Sequence, residues 1–328
     1  MRVGVNPEKS KGERNSKKLH RVIVVFYIPN STDEYYEQSI IVLNHCLESL
    51  TKTINFDTTC ITLINNNSTI EVELTINKYI NKKLIDKYVL YSENKGKVYA
   101  IMNELKGIYE PFVTISDGDI LFIKGWEKAV FNVYKNFDMA GVVAPLPCSN
   151  LALNHNSSVF FDKTLSLSIN KSKIVTDLDC DLYLEGLGNT SLLSRNNRSF
   201  NWRTHQYYIK NTNTIAILGA GHFVATYRTA LINKINDYPE FKFFNGYEDK
   251  FIDNKADEKG YYRLSLSKTF AYHMGNRLDN NITSLKKNEG DYIEHKDFEG
   301  LELAIKKRYT PYWFRSIVFR VVKKIVKL

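Results

Sequence analysis

The sequence predicts an α/β fold, a mostly parallel sheet covered by helices, and three features of the chain point to it. Val22 to Ile28 is an unbroken apolar run stopping at Pro29-Asn30, the pattern of a buried parallel strand that leads into a loop. Tyr36, Ile40, Leu43, Leu47 and Leu50 then recur at steps of three and four, which sets one apolar stripe along a helix. This strand-then-helix order repeats along the chain, as expected when helices pack on both faces of a parallel sheet.

The elements follow in order. Cys60 to Ile64 reads as the second strand, 71 to 82 as a helix, and Tyr88 to Tyr91 as a short strand. Val98, Ile101, Met102, Leu105 and Ile108 line one face of the next helix, which Pro111 ends before the strand Phe112 to Ile115. Trp126 follows as a packing residue at the start of another helix. From about 149 to 214 the pattern decays into Asn, Ser, Asp and scattered aromatics, and long loops or an irregular insertion are expected there. Regular signals return with Ile215 to Leu218, the turn Gly219-Ala220-Gly221, a strand near Phe223 to Tyr227, and a helix containing Glu248 and Asp249.

Composition sets the limits. At 328 residues and 43% hydrophobic the chain can bury a large core. The net charge of +9 is concentrated in the last 28 residues, which favours a membrane surface over a spread nucleic-acid footprint, so no nucleic-acid partner is expected. Cys46, Cys60, Cys148 and Cys180 show no paired spacing, so neither a zinc knuckle nor a disulfide framework is indicated, and a reducing cytoplasm is expected. Residues 1–20 are polar and basic, read as a disordered lead-in, and no apolar run is long enough to span a bilayer.

The sharpest chemical signal is Phe112-Val113-Thr114-Ile115-Ser116-Asp117-Gly118-Asp119, a β-branched strand ending in two carboxylates around one glycine. Ligands of open α/β sheets bind at the carboxyl ends of strands, and two hard oxygen donors there suit Mg²⁺ or Mn²⁺ together with substrate phosphate. Gly118 is expected to let the chain turn and a diphosphate approach. Asp177, Asp179 and Asp181 alternate as well, and are read as a solvated strand or loop rather than a second cation site.

With these motifs in this order, the chain resembles glycosyltransferase family 2 over roughly residues 20 to 275. The resemblance implies a GT-A type fold and an inverting transfer from a nucleotide-diphosphate sugar. It implies donor contacts at Phe26, Tyr27 and Pro29, and again at Asn65 and Asn67 of Ile64-Asn65-Asn66-Asn67-Ser68, where the family carries Asp-Asn-Gly-Ser. Asn94, Gly96 and Lys97, at the start of the helix before the metal strand, join the donor set with Asp117 and Gly118. In Asn245-Gly246-Tyr247-Glu248-Asp249 the resemblance assigns Asp249 as catalytic base, with Glu248 positioning the acceptor or exchanging that role. Gly219, Gly221, His222 and Tyr247 would face the acceptor, and His273 would join Asp117 and Asp119 around the metal.

The implied organisation is a catalytic domain over 21–275, with a donor half to about 145 and an acceptor half from 146, followed by an extension over 276–328. In that extension Trp313, Phe314, Ile317, Val318, Val321, Val322, Ile325 and Leu328 recur at helical spacing, with Arg315, Arg320, Lys323, Lys324 and Lys327 largely opposite. A helix over about 312–328 would lie on an anionic inner leaflet as a peripheral anchor. The expected donor is a UDP-sugar, the acceptor a glycan or lipid-linked saccharide of a bacterial surface polysaccharide. Two rival readings are a degenerate glycan-binding scaffold on the same fold and a sugar-phosphate nucleotidyltransferase. The latter should carry a Gly-rich phosphate loop after the first strand, and Phe26-Tyr27-Ile28-Pro29-Asn30 is no such loop.

Overall fold

The computed structural model describes residues 3–10, 17–166, 168–188, 201–237, 239, 247–287, 290–301 and 310–326. The chain opens with β1 (His20–Phe26), α1 (Ser39–Thr53), β2 (Thr59–Asn65), α2 (Glu71–Asn81), β3 (Lys87–Leu90), α3 (Lys97–Leu105) and β4 (Phe112–Asp117). β5 (Ile120–Phe122), α4 (Trp126–Asn136) and β6 (Ala140–Ala144) follow. Next come α5 (Ser157–Leu165), β7 (Asn170–Ser172), α6 (Asp177–Gly186), β8 (Gln206–Lys210), β9 (Ile215–Leu218), β10 (Val224–Arg228) and α7 (Thr229–Ile232). A π-helical turn over Asp249–Asp253 runs into α8 (Asn254–Glu258), and β11 (Tyr262–Ser265), β12 (Ala271–His273), α9 (Asn280–Leu285) and α10 (Tyr312–Val326) complete the order.

Ten strands form one sheet in the order β3-β2-β1-β4-β10-β6-β11-β9-β8-β7. The first four are mutually parallel, as the alternation requires, and β10 enters antiparallel between β4 and β6. The expected α/β architecture is therefore present, with a parallel half and a mixed half. One apolar cluster runs through both halves, and Trp126, fully buried at the start of α4, belongs to it.

β1 begins at His20, two residues before the apolar run, because its polar entry is neutralised inside the protein. His20 is held between Glu127 (2.9 Å) and Thr114 (2.7 Å), while Arg21 bonds Thr62, Asp86 and Glu110. Buried charges persist only when paired in this way.

The stretch from 149 to 214 corrects the expectation of loops. It holds α5, β7, α6 and β8, and its strands extend the sheet beyond β9. Asp177 and Asp179 sit in the first turn of α6 rather than on a strand or loop, where the helix dipole favours them. Arg203 pairs with Asp177 and Asp181. All four cysteines are free and buried. Among the described residues no helix is long and apolar enough to cross a membrane.

Candidate active site

The carboxyl ends of β1, β2 and β4 lie side by side, since Val25 is in register with Asp117 and Phe26 with Asn65. A cleft of about 200 Å³ opens at this edge, walled by Phe26, Tyr27, Tyr35 and Tyr36 and floored by Lys97, Asp117, Gly118 and Asp119. This is where open α/β sheets take their ligands.

His273 reaches the carboxylates through a short ribbon. β5 starts one residue after Asp119 and pairs antiparallel with β12, placing His273 opposite Ile120; Met274 N–H then donates to the Asp119 carbonyl at 2.8 Å. As a result, one donor atom each from Asp117, Asp119 and His273 lies within 4.8 Å of the others. His273 Nε2 is 3.3 Å from Asp119 Oδ2, and Nδ1 donates to the Gly186 carbonyl at 2.5 Å, which leaves Nε2 turned toward the carboxylates as the nitrogen that could ligate. Asp119 Oδ1 is buried with no hydrogen-bond partner among the described residues. Two carboxylates, an oriented imidazole and an orphaned buried oxygen fit a divalent cation of the Mn²⁺ or Mg²⁺ type.

Lys97 and His273 lie against the paired carboxylates. Burial acts against the His273 cation, but the bond and charge of Asp119 outweigh it and raise the imidazole to about 9. Burial also raises the Asp117 carboxyl, against the pull of Lys97 and with the push of Asp119. Lys97 Nζ sits 2.7 Å from Asp117 Oδ1 and 2.9 Å from Oδ2, and 3.8 Å from Glu248.

Lys97 is the first residue of α3, and Gly96 precedes it at φ 81°, a left-handed conformation that only glycine adopts without strain. Asn94 Oδ1 accepts from Gly96 N–H at 2.9 Å and from the Asn66 amide at 2.8 Å, while Asn66 Oδ1 accepts from Lys95 N–H. Asn66 thus ties the β2 end to the loop that precedes α3. Neighbour Asn65, expected at the donor, is instead fully buried: its oxygen accepts from Ser68 N–H and its amide nitrogen donates to Glu73 and Tyr88. Its side-chain hydrogen bonds go to the following loop, to α2 and to β3. Asn67 is exposed at φ 69°, and neither it nor Pro29 lines the cleft.

Glu248 and Asp249 open the helical segment that continues into α8; Asn245 and Gly246 of the same motif lie outside the described residues. Glu248 faces Lys97, whereas Asp249 Oδ1 accepts a 2.7 Å bond from His155 Nε2 that holds its carboxyl below the ordinary value. His155 itself occupies a left-handed φ of 47°. His222 Nδ1 is 3.0 Å from Asp253 Oδ2, and the other Asp253 oxygen is 2.9 Å from the buried Arg263. Tyr247 is buried edge-on against Phe251. Gly219 and Gly221 have packing reasons: a Cβ would meet the Cys148 carbonyl oxygen at 2.7 Å and the Phe223 ring at 2.8 Å, respectively.

Sequence reasoning missed His155, Asn66, Tyr35 and the carbonyl of Gly186. Of these only Asn66 stood inside a motif; the others reach the site through contacts distant in sequence. Gly118 also acts differently from expectation. Its φ is not left-handed, but an added Cβ would lie 2.8 Å from Phe26 Cβ and 3.2 Å from Leu43 Cδ1. Gly118→Ala is therefore expected to cost about 1–3 kcal/mol by overpacking and to displace the aspartates. Melting and titration calorimetry should show lower stability and weaker metal-dependent nucleotide binding; both unchanged would mean the loop yields freely.

No protein-family model and no curated protein matches this chain. Among solved structures it is similar to residues 1-349 of S. aureus TarS at 17% identity, covering 78% of this chain and 60% of that one, with a TM-score of 0.45. The same protein in complex with UDP-GlcNAc aligns at 15% identity over 92% and 70% of the two chains, TM-score 0.46. The mannosyltransferase PcManGT from Pyrobaculum calidifontis, in complex with GDP-Man and Mn²⁺, aligns at 12% identity over 87% and 68%, TM-score 0.44.

Proposed function

We propose that this chain is a metal-dependent glycosyltransferase that moves a sugar from a nucleotide-diphosphate donor to an acceptor hydroxyl with inversion. The observation that carries the reading is the convergence of Asp117, Asp119 and His273 beside an aromatic-walled cleft, with Lys97 at its floor and Glu248 3.8 Å from Lys97. The four aromatic walls suit a nucleobase and ribose, and Lys97 at a helix N-terminus suits a diphosphate. Asp117, Asp119 and His273 would hold the cation, which when bound supplies Lewis-acid stabilisation of a departing diphosphate.

The chain's own residues do the rest. Lys97 exchanges its Asp117 partner for phosphate oxygen once the carboxylates are engaged. Asp249, ionised and half-exposed, takes the proton of the acceptor hydroxyl as that oxygen bonds the anomeric carbon and the bond from that carbon to the diphosphate breaks. Glu248 stands toward Lys97 on the donor side, 3.8 Å from its ammonium, which favours Asp249 as the base. The family resemblance favours a UDP-sugar as donor and a glycan or lipid-linked saccharide of a bacterial surface polysaccharide as acceptor.

The test is a calorimetric screen of UDP-, GDP-, CMP- and dTDP-sugars, each with Mn²⁺ and with EDTA. One nucleotide class should bind in Mn²⁺ and not in EDTA. A folded sample that binds none of them would leave a scaffold on a transferase fold as the better account.

A further inference from the structure

The last helix divides its apolar residues between two faces. On the inner face Phe319 and Arg315 are buried, Val322 packs on the core, and the Phe319 ring lies 5.1 Å from Phe160 of α5. Arg315 donates through Nη2 to the Asp257 carbonyl at 2.8 Å and the Glu258 carbonyl at 3.1 Å, capping the end of α8. Tyr312 donates to Asn254 Oδ1 at 3.1 Å. α10 is thereby fastened to the helical segment that begins at Glu248 and Asp249.

The outer face is largely left to solvent, with the Phe314 ring, 5.8 Å from Phe161, touching α5. Trp313, Phe314, Ile317 and Val321 are 65%, 42%, 44% and 55% exposed. Trp313, Ile317 and Val321 follow at four-residue steps and make one ridge, with exposed Arg320 and Lys324 beside it in the helical projection. α10 has four cationic residues and no acid. A symmetric pairing of two copies through this ridge would set these like charges against one another, whereas an anionic lipid surface complements them, receives the apolar ridge and leaves the cations at headgroup level.

We infer that the outer face of α10 is a docking surface for an anionic lipid bilayer, and that the acceptor sugar is presented from that bilayer. The second part rests on the proposed transfer reaction, because Asn254, bonded to Tyr312, is only about 7 Å of helix beyond Asp249 at 1.5 Å per residue. The start of α10 is thus linked through Asn254 to the helical segment that carries the proposed base.

The test is vesicle sedimentation of the full chain, without nucleotide, on phosphatidylcholine alone and on phosphatidylcholine with phosphatidylglycerol. The wild type should sediment only with the anionic vesicles and release at high salt. Trp313→Ser/Ile317→Ser/Val321→Ser should lower vesicle affinity by more than about a hundredfold, and Arg320→Glu/Lys324→Glu should abolish the anionic preference. Since these positions are exposed, melting and calorimetric UDP binding in Mn²⁺ should match the wild type, so failure of docking and failure of the donor site are separately visible. Trp313 fluorescence should shift to the blue on vesicles, against a fixed background from buried Trp126 and Trp202. No sedimentation of the wild type, or undiminished sedimentation of the triple variant, overturns the inference. So does a wild-type dimer in ultracentrifugation that the triple variant converts to monomer, which would make the ridge a self-contact.

Discussion

Asp249→Asn is expected to bind the metal and the nucleotide donor as the wild type does while turnover falls about 10²- to 10⁴-fold. Asparagine preserves the shape of the side chain and leaves an oxygen to accept from His155, now 2.7 Å away, so the helical segment should not move. What it removes is a carboxylate that the His155 bond keeps ionised. Glu248→Gln is the necessary companion. It touches Lys97 and through it Asp117, so its first effect should be on donor affinity, with rate following. Steady-state kinetics with calorimetry separates the two. Full turnover in Asp249→Asn, together with collapse of the rate in Glu248→Gln at unchanged donor affinity, would transfer the base to Glu248.

Asp119→Asn is expected to cut Mn²⁺ affinity by at least about a hundredfold and to remove metal-dependent nucleotide binding with it. The reason is local: Oδ2 faces His273 and Oδ1 is buried without a hydrogen-bond partner among the described residues, so both oxygens are positioned to take a cation. Mn²⁺ at a hundred times its dissociation constant should stabilise the wild type by about 2.7 kcal/mol, and the variant should keep no more than about 0.4 kcal/mol of that shift. In EDTA the two proteins should bind nucleotide equally weakly. An Asp119→Asn protein that keeps the wild-type shift in Mn²⁺ and binds donor would remove the cation from this site.

The parallel half was legible because its signals are local. Apolar runs and three-four stripes mark β1 to β4 and their helices wherever contact partners are close in sequence. The boundary of β1 was lost at His20 and Arg21 because their burial depends on Glu127 and Glu110, far along the chain. The same reason hid β7: Asn170-Lys171-Ser172 has no strand signature and exists as a strand through its pairing with β8.

The candidate site was legible where residue type determines chemistry, as in Asp117-Gly118-Asp119, and illegible where orientation does. Asn65 occupies a motif position with its amide turned inward, and no pattern of letters reports that. His155 appears in an Asn- and Ser-rich stretch with no spacing to mark it, yet it is the residue bonded to Asp249. His273 was reached through resemblance alone; its geometric cause, the β5-β12 ribbon, joins segments on opposite sides of the insertion.

That ribbon has a consequence for how the molecule is made. During synthesis Asp117 and Asp119 leave the ribosome long before His273, and the parallel strands around them can pair at once. His273 arrives only after β6 to β11 have been threaded and β12 has closed on β5, a contact of long sequence separation and therefore late. Cation capture at the proposed site would then mark the end of maturation, since a nascent or partly folded chain lacks the complete cluster.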